Sequence, residues 1–149
     1  MTIEYRANHE LKLRLMSFSG RVSQADCFGC AEAMRRLTRE LFSYGSVLTF
    51  SADVDMSGLT TDGLLEMEEA MAGAAEDLGG VGRLRVAAIV EGNLSVLREL
   101  RLWREVVRPT SAFTYESKTF DTLQEGLDWL EAPACADAAI QSRVGFAAI

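Results

Sequence analysis

The chain is poor in the residues that build most catalytic and metal centres. It has one histidine, His9, and three cysteines among 149 residues. A histidine-rich metal site is thereby excluded, and a catalytic triad or general-base assembly has little to draw on. His9 falls in a hairpin turn, where it reads as a solvated residue. The standard phosphate loops are absent, and Gly79-Gly80-Val81-Gly82 reads as a linker between a helix end and a strand. No apolar run approaches the roughly 18 residues of a membrane span. Glu4, His9 and Glu10 occupy the stretch where a signal peptide would be apolar, so the expectation is a cytoplasmic protein with reduced thiols. No cofactor is expected, and at this length one core suffices without disulfides or a structural metal.

One region lacks charge of one sign. Residues 53–78 carry eight acids and no base, whereas residues 79–111 carry six bases and three acids. The net charge of −7 is therefore concentrated in one segment. An acidic total argues against nonspecific binding to nucleic acid or to an anionic membrane.

What is present is periodicity. Leu11, Leu13 and Leu15 alternate with Lys12 and Arg14, the period of a half-buried strand, and Thr2–Ala7 precedes them across a turn as the first arm of a hairpin. Ser23, with Asp26 three residues on, marks a helix start, and Cys27, Cys30, Met34, Leu37 and Leu41 form its apolar stripe up to Gly45. Leu48, Phe50, Ala52 and Val54 alternate as another strand. A helix then starts near Thr60–Thr61–Asp62, buries Leu64, Met67, Met71, Ala75 and Leu78, and ends at Gly79–Gly80. Leu84–Val90 reads as the central strand. Asn93 caps a third helix with a stripe at Val96, Leu100, Trp103 and Val107, stopped by Pro109. Ala112–Glu116 reads as the last strand, followed by a short helix with Leu123, Leu127 and Leu130.

The order β-β-α-β-α-β-α-β-α gives an α/β fold with a mixed, mostly parallel five-stranded sheet. Three strands keep a polar face, which places the helices on one face of that sheet. Residues 132–149 are Ala-rich and fall outside the pattern, as an extra helix, a cover for the open face or a disordered tail.

Three stretches carry a resemblance: Phe18-Ser-Gly-Arg-Val-Ser23, Val54-Asp-Met-Ser-Gly-Leu-Thr60 and Ser117-Lys-Thr-Phe-Asp-Thr-Leu-Gln-Glu-Gly-Leu-Asp-Trp-Leu130. With the element order, they make residues 1–131 resemble the SpoIIAA-like group of the STAS superfamily, the fold of bacterial anti-sigma-factor antagonists. The resemblance implies a one-sided β-α superhelix, similar in architecture to the lipid-carrying CRAL-TRIO domains, and no particular reaction. In the antagonists an Asp-Ser-Ser-Gly segment opens the second helix, and its first serine is phosphorylated. Aligned on Asp55-Met56-Ser57, this chain has Thr60-Thr61-Asp62-Gly63, with glycine where serine would follow aspartate. Helix capping accounts for Thr60 and Thr61; phosphorylation of either is the alternative.

Cys27-Phe-Gly-Cys30 has the spacing of a redox pair, but both sulfurs fall on the buried stripe, so structural thiols are the expectation. Arg101, Arg104 and Arg108 cluster beside the third helix's apolar stripe as a solvated face or an anion-binding surface. Glu91 and Asn93 lie at the strand ends where open α/β sheets gather ligands. Two functions follow. The leading one is a non-enzymatic STAS-like interaction module, working as a homodimer or with a protein partner through Asp55, Ser57, Thr60, Thr61, Asp62, Glu66, Glu68 and Glu69. The second is a lipid- or small-molecule-binding protein with an apolar pocket beneath the Met-rich second helix.

Overall fold

A computed structural model describes residues 2–79, 84–107 and 115–149. The chain opens with a hairpin of β1 (Ile3–Asn8) and β2 (Leu13–Phe18), paired antiparallel from Ile3 opposite Phe18 to Asn8 opposite Leu13. Its turn is held by the Asn8 carboxamide, whose Oδ1 accepts from the Leu11 amide at 2.9 Å. Strands β3 (Gly45–Phe50), β4 (Arg85–Ile89) and β5 (Glu116–Phe120) follow in parallel, each beside the last.

The first helix begins where the sequence places it. Ser23 and Asp26 form a reciprocal capping box: the Asp26 carboxylate accepts from the Ser23 amide at 2.7 Å and the Ser23 hydroxyl from the Asp26 amide at 3.2 Å. The expected run to Gly45 is instead two helices, α1 (Gln24–Arg35) and α2 (Arg39–Ser43). Thr38 divides them because its hydroxyl accepts from the Leu41 amide and caps a new helix start. Helix α3 (Thr61–Asp77) is continuous. Helix α4 (Leu94–Leu102) passes into one π-helical turn, Trp103–Val107.

Among the described residues the sheet has six strands in the order β5-β4-β3-β2-β1-β6, one more than expected. The extra strand, β6 (Ala147–Ala148), lies antiparallel to β1 at the edge. The last parallel strand begins at Glu116, where the expected one ended; residues 112–114 lie outside the described residues. Its Ser-Lys-Thr sequence reads as loop, but an edge strand tolerates polar residues because only one side is paired.

The helices do not lie on one face. Arg14, Met16 and Phe18 alternate with Leu13 and Leu15 on β2, and each set is covered. The first face packs Met16, Phe18, Val86 and Ala88 against α1, α3 and α4 through Met34, Met71 and Leu100. The second packs Leu13, Leu15 and Val47 against Leu127 of α5 (Leu123–Trp129) and Ile140 of α6 (Ala136–Ser142), with Phe146. The expected polar face rested partly on Ser51 and Asp53, which lie beyond the end of β3 at Phe50. Gly126 marks how closely α5 approaches: a Cβ there would collide with the end of Ile89 on β4. Residues 132–149 thus supply a helix, a strand and part of the cover over the second face.

Candidate functional site

Between the first face of the sheet and α1, α3 and α4 lies an apolar cavity of about 90 Å³. Its floor is β2 and β3, with Met16, Phe18, Leu48 and Phe50, and Phe18 stacks on Phe50 with ring centroids 4.8 Å apart. Its roof is largely methionine: Met34 from α1, Met67 and Met71 from α3. Unbranched thioether side chains change rotamer at little cost, so such a wall adapts to what it encloses. Trp103, on the π-helical turn, closes one side.

Polar groups enter this apolar space at a few points. Arg14, on β2, is 3% exposed; its Nη1 donates to the Tyr5 hydroxyl at 2.6 Å and its guanidinium lies 5.4 Å from the centre of the Phe42 ring. Among the described residues Arg14 Nε has no hydrogen-bond partner. Ser46, opposite Arg14 in the β2/β3 register, also lines the cavity and is buried. Burial raises the pKa of Tyr5 above its ordinary value, against the lowering effect of Arg14, so the phenol stays protonated at neutral pH. Sequence reasoning missed Tyr5, Arg14 and Ser46. Arg14 reads as the polar phase of an amphipathic strand, and only coverage of both faces turns it into a buried cation.

The expected acidic docking residues divide. Asp62, Glu66 and Glu69 are exposed on α3, and Ser57, Thr60 and Thr61 are exposed on the loop and first turn before them. Asp55 is half-buried; its carboxylate accepts from the Ser57 amide at 2.9 Å, and hydrogen bonds from Ser57, helped by Arg21, hold its pKa below the usual carboxylate value. Thr60 is the N-cap of α3: its hydroxyl accepts from the Gly63 amide at 3.1 Å and lies 3.3 Å from Gln24 Oε1. Glu68 does not belong to this face. It is 1% exposed, turned toward the sheet, and its Oε1 accepts from the Tyr115 hydroxyl at 2.5 Å. Its position in a run of acids hid the fact that Leu64, Glu68, Met71 and Ala75 share one side of the helix.

The expected anion-binding set is not assembled into one site. Glu91 is exposed at the end of β4, and Asn93 is occupied as the α4 cap, accepting from the Val96 amide at 3.2 Å. Arg101 is paired with Glu105 at 3.0 Å on the surface, Arg104 donates to Thr119 at 2.7 Å, and Arg108 lies outside the described residues.

Cys27 and Cys30 are buried free thiols, with burial pushing their pKa values up to about 11 and about 12. Such thiols are almost entirely protonated at neutral pH, the opposite of a redox nucleophile. Cys30 donates instead to the Met16 sulfur at 3.8 Å, next to the cavity floor. Cys135 is exposed. Among the described residues, no group of three or more His, Cys, Asp and Glu is arranged to hold a metal ion, and no helix is long and apolar enough to cross a membrane. No protein-family model, no curated protein and no solved structure gives a significant match to the chain.

Proposed function

We propose that the protein is a non-catalytic binding module that holds a small apolar molecule, such as a lipid chain, between the first face of its sheet and α1, α3 and α4. The observation that carries this reading is the apolar cavity of about 90 Å³, roofed by Met34, Met67 and Met71. Well-packed interiors close such spaces, and an apolar one stays dry and takes up apolar guests.

The two tryptophans make the test specific, because Trp103 lines the cavity while Trp129 of α5 packs against Phe120 of β5. In a Trp129→Phe variant, titration with decanol shifts and saturates the Trp103 emission, and native mass spectrometry finds one ligand per chain. Unsaturable emission with no bound species overturns the reading.

A second reading is favoured by a different surface. Phe28, 45% exposed on α1, borders a groove that also contains Glu66 and Glu69 of α3. With Arg35 of the same groove paired to Glu32, Glu66 and Glu69 leave an acidic excess beside Phe28 that suits a protein partner carrying basic and apolar side chains. In this role the chain acts as a STAS-like interaction module, as a homodimer or with another protein. Sedimentation of the purified protein, alone and as a Phe28→Asp variant, tests self-association: loss of a dimer on substitution supports it, and a monomer in both removes it.

A further inference from the structure

We infer that the cavity selects a monoanionic amphiphile, with its acid group on Arg14 and its chain along the floor of the sheet; this rests on the reading of the cavity as a ligand site. Arg14 is the reason. A guanidinium has five N–H donors and remains charged at any accessible pH. Here it is 3% exposed, with one donor on the Tyr5 hydroxyl, a face toward Phe42 and, among the described residues, no partner for Nε. Among the described residues no carboxylate is paired with it. A buried charge lacking a counter-ion is costly, and that cost is relieved when an anion arrives.

The surroundings supply a receptor for one. Tyr5 accepts from Arg14, which leaves its own O–H hydrogen to donate. Burial keeps that hydrogen in place by raising the phenol's pKa. Ser46, beside Arg14 on the neighbouring strand, offers a hydroxyl into the same space. Three donors of this kind match the two oxygens of a carboxylate.

The position of Arg14 sets the polarity of the site. It lies near the start of β2, and Met16 and Phe18 follow on the same face, so the apolar floor extends about 13 Å from the cation at the usual strand rise. Leu48 and Phe50 line the same floor from β3. An acid group at one end and a flexible apolar tail along the strand direction fit that layout. One acid stands nearby. Glu99 lines the cavity from α4. It disfavours a ligand with a second negative charge.

Decanoate and decanol share a chain and differ in the charged group, so their comparison isolates Arg14. With the full chain at pH 7.5, a value well above the carboxylate range, decanoate is expected to bind roughly tenfold or more tighter than decanol by calorimetry. Arg14→Met is expected to abolish that preference while decanol still binds, and to raise the melting temperature of the ligand-free protein. Tyr5→Phe leaves the cation in place and gives the same test if Arg14→Met fails to fold; its expected effect is a several-fold loss for decanoate alone. Equal affinities in the unmodified protein overturn the anion site and leave the apolar ligand reading standing. An unchanged decanoate preference in Arg14→Met, or in Tyr5→Phe where that variant replaces it, also overturns the site. Binding of neither compound overturns both.

Discussion

The two faces of one sheet are packed in different ways. On the second face Leu13, Leu15 and Val47 meet Leu127, Ile140 and Phe146, and the interior of that layer is aliphatic and aromatic. On the first face the helices stand over methionines, a cavity and the buried polar groups Arg14, Ser46 and Glu68. Both faces belong to the same strands, often to adjacent residues, as Leu13, Arg14 and Leu15 show. Buried polar groups and empty space both reduce stability, so a face that keeps them is one on which packing alone did not decide the residues. Both faces contribute to the core, the second with apolar packing alone, and the first is where we place the function.

The sharpest way to test this division is to compare two neighbouring acids. Glu68→Lys puts a cation where Tyr115 now donates to a buried carboxylate, and should cost about 4 kcal/mol or more, enough to lose cooperative urea unfolding. Glu69→Lys, one residue on and exposed, should change stability by less than about 0.5 kcal/mol. Equal effects would mean that α3 does not present Glu68 inward.

A second comparison is between the faces themselves. Leu15→Ala, on the second face and 1% exposed, should cost about 3 kcal/mol in urea denaturation. Met71→Leu, on the wall of the cavity, should cost less than about 1.5 kcal/mol because the volume is kept and the space beside it adjusts. A larger loss at Met71 than at Leu15 would reverse the assignment of rigid and adaptable faces.

The smallest expected effect is one of pH. Asp26 of the α1 capping box, and Asp53 and Asp55 in the loop after β3, all have pKa values held below the usual 3.8, chiefly by hydrogen bonds from serines. A depressed folded-state pKa contributes stability above the ordinary value, and the contribution is lost as pH falls through the folded-state value. All three lie on segments bordering the first face. Amide exchange near residues 23–26 and 53–57 should therefore accelerate below pH 3.8 before exchange in α5 does; simultaneous loosening would show that the two faces respond as one.

Much of the element order was legible because it depends on local signals. Ser23 and Asp26 start α1, Thr60 caps α3 and Asn93 caps α4, each using a side chain three residues from its target. The errors arose where a local signal competed with another or with packing. Thr38 split a periodic run into two helices, and β5 formed from polar residues because β4 offered it a partner. The site was less legible still. Glu66 and Glu69 are surface acids as expected, yet Glu68 between them is buried, and Arg14 reads as the exposed phase of a strand.

Sequence by itself determined the α/β class, the parallel succession of strands, the starts of the long helices and the buried state of Cys27 and Cys30, since these follow from periodicity and from capping over a few residues. Only the tertiary structure decided that both faces of the sheet are covered. It is set by α5, α6 and Phe146 returning to residues more than a hundred positions earlier in the chain, such as Leu13 and Leu15. Coverage of the other face, where Phe42 packs over Arg14, turns that residue from one charge in an alternating pattern into a buried cation, and burial of this kind is a property of the assembled layers that no short stretch of chain encodes.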